Sequence, residues 1–288
     1  MFEKVGEIFI HKQFEKPTQS FITDGISKDA FNPSKMRWFN TFEISQFIRF
    51  IVVLTWIKKY FDKLSREKQI SNKRRYIADF GCSRSQLYGY WRSNCNYFGW
   101  PKISYSGVDA DVNRLTIGRK LITPKKNDKF NHYLTDLTVP FKLRQKMDVI
   151  TCLETIEHVP KDKVENVLKN IKKNLKRNGI AIISSPNPLK DKGETWVWNS
   201  PEDGGDHSYE WNFEEICQLL RKLNFEIIQY CGCSPRREFK TNTSLYKSLI
   251  TPLTNNLPSS LVYSILCTVD NIKLSKQWIV MVKKRIDK

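Results

Sequence analysis

The chain has 288 residues, 40% hydrophobic and 27% charged, which suits one large globular domain, or one domain with an appended piece, and argues against a disordered chain. A formal charge of +18 makes the surface self-repelling and attractive to polyanions, so nucleic acid or an anionic membrane face enters as a partner; a Lys- and Asn-rich composition drifting with an AT-rich genome is the plain alternative. Seven scattered cysteines are an odd number, and Cys231/Cys233 has no second pair to complete a zinc site, so a reduced, cytoplasmic compartment is expected.

The opening MFEKVGEIFI lacks the basic start and apolar core of a signal peptide. Residues 1–40 are weakly periodic, with turn signals at Lys16-Pro17, Asp24-Gly25 and Asn32-Pro33. From Thr41 to Leu64 apolar residues recur at helical spacing, and the most apolar run, Phe47 to Ile57, is interrupted by Arg49. That run is well short of the roughly 20 residues a membrane span needs, so a buried helix is expected and no transmembrane segment. The basic stretch Arg66 to Arg75 reads as a linker, which divides the chain into an N-terminal helical extension or lid (1–70) and a main domain (71–288).

Beyond the linker, strand candidates Tyr76–Phe80, Ser104–Val108, Met147–Cys152 and Ile180–Ser184 alternate with helical patterns at Ser85–Trp91, Val112–Lys120 and Lys161–Lys176, the last closed by Gly179. Asn212–Leu223 is amphipathic, Phe225–Tyr230 and Trp278–Lys283 read as strands, and a helical insertion is expected at about 241–275. The alternation implies an α/β fold, a doubly wound, mostly parallel sheet with helices on both faces, whose ligands bind beyond the carboxyl ends of the strands.

Three acids and a glycine sit at those ends. Gly81, in Asp79-Phe80-Gly81-Cys82-Ser83-Arg84-Ser85, permits a sharp turn into a helix, and Asp109 ends the next strand where a carboxylate can hold a ribose diol. Asp136 lies in Leu134-Thr135-Asp136-Leu137. A dinucleotide fingerprint would need glycines where Ser83 and Gln86 stand, and a pyrophosphate demands that close approach, so a cofactor without phosphate fits better.

The ordered set ADFGCSRS, YSGVDAD, YLTDLTVPF and DVITCLETIEHV resembles the motifs of class I S-adenosylmethionine (SAM)-dependent methyltransferases, over roughly Tyr76 to Lys284. The resemblance implies a seven-stranded Rossmann-like sheet with SAM as cofactor. Gly81 would flank the methionine part, Asp109 the ribose hydroxyls and Asp136 the adenine amino group, while Asp79 orients the first turn. Ser83, Ala110, Leu137 and Leu153 would complete that pocket. The family usually has further glycines where this chain has Ser83 and Ser85.

On the acceptor side, Glu154, Glu157 and His158 would share one face of a helical turn, and His207 in Gly205-Asp206-His207-Ser208-Tyr209-Glu210-Trp211 falls on the same edge. Carboxylates with imidazoles suit a divalent cation (Mg²⁺, Mn²⁺ or Zn²⁺), although a Glu-His pair can also merely orient a short helix. ITCLETIEHVP resembles ubiquinone-biosynthesis O-methyltransferases, and Glu-x-x-Glu-His with a later His resembles small-RNA 2′-O-methyltransferases, in which it holds a metal. Both resemblances imply transfer to a hydroxyl, with Glu154, His158 and His207 as catalytic candidates and either histidine able to serve as general base. The expected acceptor is an RNA or another anionic or sugar-bearing molecule. A small metabolite or glycan is the enzymatic alternative, and a non-catalytic nucleic-acid-binding module the non-enzymatic one. Trp196, Trp198, Tyr209 and Trp211 could stack on a base or close a lid, the lysines of Lys161–Arg177 read as a solvated face, and Arg236 and Arg237 could reach an anion.

Overall fold

A computed structural model describes residues 1–12, 41–68, 74–98, 101–188, 206–235 and 275–285, with positions 252, 256, 268–269 and 272. The expected turns between Lys16 and Pro33, the 241–275 insertion apart from a few positions, Trp196, Trp198, Arg236 and Arg237 lie outside the described residues.

The elements in chain order are β1 (Phe2–Val5), β2 (Ile8–His11), α1 (Thr41–Lys68), β3 (Arg75–Phe80), α2 (Gln86–Phe98), β4 (Ile103–Asp109), α3 (Val112–Leu121), β5 (Lys129–Leu134), β6 (Met147–Leu153), α4 (Val164–Asn174), β7 (Leu175–Pro186), α5 (Phe213–Lys222), β8 (Phe225–Pro235), β9 (Thr268–Val269) and β10 (Ser275–Lys284). They form one sheet in the order β1-β2-β5-β4-β3-β6-β7-β10-β8-β9. β2, β5, β4, β3, β6 and β7 pair in parallel, while β10 runs antiparallel between β7 and β8. The doubly wound, mostly parallel α/β sheet expected from the sequence is therefore present, and the strand order reverses at β3.

The sheet has ten strands where seven were expected. The additions are the hairpin β1–β2, which lengthens the β5 edge, and the two-residue β9. β5, KFNHYL, is a strand that periodicity does not announce, because its polar Asn131 and His132 hide the apolar run that marks a buried parallel strand.

Side-chain alternation sorts the core into two layers. On one face Ile77, Tyr105, Phe130, Val149 and Ile182 pack against Val53, Leu54, Ile57, Phe61 and Leu64 of α1 and Leu87 and Trp91 of α2. On the other, Ala78, Val108, Tyr133, Ile150 and Ile183 pack against Val167, Leu168 and Ile171 of α4 and Ile216 and Leu220 of α5. Helix α1 thus shares a hydrophobic cluster with the central strands. Among the described residues no helix is long and apolar enough to cross a membrane.

Two local boundaries differ from expectation. Helix α4 ends at Asn174, and Gly179 does not stop it. The glycine lies inside β7, where a Cβ would stand 2.9 Å from the Met147 carbonyl oxygen. The register of β6 on β7 shifts between Met147 and Val149, and a side chain at 179 would collide with that offset backbone. The lysines of this stretch are largely solvated, as expected: Lys161, Lys163, Lys169, Lys173 and Arg177 are exposed, while the half-buried Lys172 donates to the Leu223 carbonyl just past α5 and Lys176, in β7, pairs with Asp148.

Candidate active site

The donor side is assembled at the carboxyl ends of β3, β4 and β5. Gly81 has φ +74°, and a Cβ there would come within 2.2 Å of Thr155 Oγ1, so the turn after β3 is pressed against the turn after β6. The Gly81 and Cys82 amides donate to the Val108 carbonyl at 2.8 and 3.2 Å, which draws the turn over β4. Ser83 (φ +49°) and Ser85 (φ +60°), where the resembled family carries glycines, are both left-handed. The backbone path that glycines serve in that family is therefore kept here by serines, at a cost on the order of 1 kcal/mol each. Ser85 is fully buried, and its Oγ lies 2.8 Å from His132 Nε2. Burial lowers the His132 pKa to about 4, so the imidazole stays neutral beneath the turn.

Asp109 ends β4 with its carboxylate accepting from the Ser83 amide at 2.7 Å and the Asp111 amide at 2.9 Å. Burial holds its carboxyl above the usual range, and those two amides pull it back down. Ala110 follows, half-buried, before Asp111 caps α3. The Thr135 amide donates to the Asp109 carbonyl at 3.0 Å, which sets the β5 end and Asp136 beside the β4 end. Asp136 Oδ1 accepts from the Thr138 amide, and Leu137 and Leu153 are both buried. Asp79 is buried below this rim, with hydrogen bonds from Thr151 Oγ1 (2.7 Å) and Tyr105 Oη (2.9 Å), and burial raises its pKa to about 6. The structure thus gathers Asp79, Gly81, Ser83, Asp109, Ala110, Asp136, Leu137 and Leu153 at or just beneath one end of the sheet.

On the acceptor side, Glu157, His158 and His207 offer ligand atoms within 4.8 Å of one another. Glu157 and His158 belong to a 3₁₀ turn, Ile156–His158, and the Ser208 and Tyr209 amides both donate to the Glu157 carbonyl, which straps the His207 segment onto that turn. Each imidazole is oriented through Nδ1, His158 by the Asp206 carbonyl at 3.1 Å and His207 by Glu210 Oε1 at 2.7 Å. That tautomer leaves the lone pair on Nε2, the arrangement seen when histidine binds a metal. Burial, aided by the neighbouring Glu154 charge, pushes Glu157 well above the usual carboxylate range, and burial lowers His158. Two imidazoles and a buried carboxylate with no excess of positive charge suit a cation such as Mg²⁺, Mn²⁺ or Zn²⁺.

Glu154 does not join this group. The expectation that it shares a helical face with Glu157 and His158 fails because its φ is +47°, outside the helical region. Its carboxylate instead accepts from Ser184 Oγ (2.7 Å) and Gln277 Nε2 (2.9 Å) and pairs with Arg49 (3.2 Å). Tyr209 and Trp211 close the sheet rather than offering free faces. Lys161 Nζ sits 3.9 Å from the Tyr209 ring centroid, and Trp211 is buried. Sequence reasoning passed over Asp206 and Glu210 as partners of the histidines, although the three-residue step from His207 to Glu210 was a usable sign. Arg49 had announced itself only as a charge within an apolar helix.

A doubly wound sheet with an antiparallel β10 between β7 and β8, a left-handed turn after β3 and an acid ending β4 defines a class I SAM-dependent methyltransferase. The family model described as a methyltransferase domain matches residues 54–230, and the chain belongs to that family. It is 31% identical over 192 residues to a ubiquinone biosynthesis O-methyltransferase of Rickettsia typhi, covering 64% of this chain and 70% of that protein. It is 27% identical over 198 residues to a small RNA 2′-O-methyltransferase of Caenorhabditis elegans, covering 61% of this chain and 41% of that protein. A crystal structure of a methyltransferase from Bacillus halodurans C-125 shares the fold, with a TM-score of 0.50 and 15% identity over 75% of this chain and 95% of that one.

Proposed function

We propose that the chain methylates a hydroxyl oxygen of an RNA or of another anionic or sugar-bearing acceptor, assisted by a divalent cation at Glu157, His158 and His207. The observation that carries this reading is the convergence of those three side chains within 4.8 Å, with both imidazoles oriented through Nδ1. SAM supplies an electrophilic methyl group on a sulfonium. A cation at the three side chains would acidify a hydroxyl that is otherwise a poor nucleophile. In this reading Asp109 and Asp136 would hold the ribose and adenine of the donor, and the Gly81 turn would face its methionine part. Fixing oxygen, methyl carbon and sulfur in line then supplies most of the acceleration. Without a cation, His158 or His207 Nε2 can accept the hydroxyl proton.

The charge of +18 and the similarity to the Caenorhabditis elegans small RNA enzyme support a polyanionic acceptor. A small-molecule hydroxyl is the second reading, favoured by the higher identity to the Rickettsia typhi enzyme. Tritiated-SAM transfer onto fractionated extract, scored for RNA, lipid, small metabolites and glycan with and without EDTA, tests both. Label in RNA that is lost with EDTA and in the His158→Ala/His207→Ala protein supports the first reading. Label confined to small molecules supports the second. Full activity in EDTA removes the cation. Binding to a single-stranded RNA should also weaken steeply with salt if phosphates are contacted.

A further inference from the structure

Glu154 is the residue by which helix α1 meets the paired strands β7 and β10 at the crevice. Its Oε2 accepts from Gln277 Nε2 of β10 at 2.9 Å and pairs with Arg49 Nη1 of α1 at 3.2 Å, while its Oε1 accepts from Ser184 Oγ of β7 at 2.7 Å. Its amide donates to the Ser184 carbonyl at 3.1 Å. The Arg49 and Glu154 side chains are 6% and 18% exposed, so the pair is poorly screened by solvent and breaking it exposes a buried charge. Arg49 is an arginine on the buried face of an apolar helix, a costly position unless the charge is used.

What that charge holds is the donor wall. Glu154 is left-handed, at φ +47°, a conformation that persists only when its surroundings enforce it. The next residue, Thr155, is the one pressed against Gly81. The Glu154 backbone therefore sets how the β6 turn meets the Gly81 turn. Among the described residues Arg49 Nε and Gln277 Oε1 are buried without a hydrogen-bond partner, so Glu154, which takes the Arg49 ion pair and the hydrogen bonds from Ser184 and Gln277, is what holds both side chains there.

We propose that Arg49 is a positioning residue for methyl transfer. By holding Glu154 it latches α1 across the ends of β6, β7 and β10 and keeps the Glu154–Thr155 turn seated against Gly81. The buried packing of α1 on the central strands keeps this contact in place beneath the donor wall. In this chain Glu154 serves α1 and is withheld from the cation proposed at Glu157, His158 and His207.

The test needs neither acceptor nor metal, so it stands or falls apart from the proposed function. SAM and S-adenosylhomocysteine are titrated calorimetrically into the metal-free chain and into Arg49→Met, Arg49→Lys, Glu154→Gln and the Arg49→Met/Glu154→Gln double variant. Each single loss should weaken donor binding about tenfold, the double variant no further than the worse single, and Arg49→Lys should recover part of the loss. Hydrogen exchange of the α1 amides should slow on adding S-adenosylhomocysteine in the wild type and not in Arg49→Met. Wild-type donor affinity in Arg49→Met, or losses that add in the double variant, overturns the proposal. If Arg49→Met does not fold, Arg49→Lys against Glu154→Gln decides it, since equal affinity to wild type in both overturns it as well.

Discussion

Gly81 and Thr155 are in closer contact than any other residue at position 81 would allow: a Cβ there would lie 2.2 Å from the Thr155 hydroxyl and 2.9 Å from its Cβ. Two strand-end turns lock together through this one missing side chain, and β3 and β6, the strands on which they sit, are neighbours in the sheet. Gly81→Ala should cost about 3 kcal/mol, combining overpacking with the strain of φ +74°. Adding Thr155→Ala should return only the part owed to Thr155 Oγ1 and Cγ2. Chemical denaturation of the three variants measures both quantities, and full recovery in the double variant would show that backbone strain plays no part.

The two left-handed serines should answer differently to glycine. Ser83→Gly removes about 1 kcal/mol of strain, and after roughly 0.5 kcal/mol or more for the extra freedom of glycine in the unfolded chain it should stabilise by no more than about 0.5 kcal/mol. Ser85→Gly removes similar strain but strands the buried Nε2 of His132, whose Nδ1 has no partner among the described residues, and should destabilise by about 1 kcal/mol net. Thermal melts of the pair separate the two effects, and shifts of the same sign would contradict the assignment.

Asp79 gives stability a pH dependence of known sign. Its folded pKa is about 6, against an ordinary 3.8, so the folded state binds the proton more tightly. Its contribution is fully present below about pH 4 and lost as pH rises through 6, worth up to about 3 kcal/mol. Asp79→Asn should flatten the stability profile between pH 4 and 6 relative to the wild type. An unchanged slope would place the titrating group elsewhere.

Glu210 is buried and bonded to His207 Nδ1, so its worth lies in orienting that ring. If a cation binds as proposed, Glu210→Gln should weaken Mn²⁺ binding roughly 10- to 100-fold by calorimetry. Glu154→Gln should leave it within about threefold, because Glu154 is engaged with Arg49. Equal losses in the two variants would return Glu154 to the ligand set.

The legibility of the fold followed burial. β3, β4, β6 and β7 lie inside the sheet and are covered on both faces, so they read as apolar runs bounded by polar ends. β5 escaped because His132 occupies a fully buried position by bonding Ser85, a substitute for apolarity that no periodicity reports. The β1–β2 hairpin escaped because Glu3, Lys4 and Val5 are exposed and its strands have four residues each. At the site, the helical spacing of Glu154, Glu157 and His158 was a sound rule applied where the backbone is not helical.

The sequence by itself determined the inventory and its order: a glycine turn, Asp109, Asp136 and the Glu157–His158 pair at successive strand ends, which alternation alone delivers to one edge of a parallel sheet. Only the tertiary structure decided where each side chain turns at that edge. Left-handed backbone at Ser83, Ser85 and Glu154 is enforced by neighbours distant in sequence, Asp109, His132 and Ser184 among them. A local pattern carries no record of such contacts. For that reason one carboxylate of the pattern joined the histidines and the other went to Arg49.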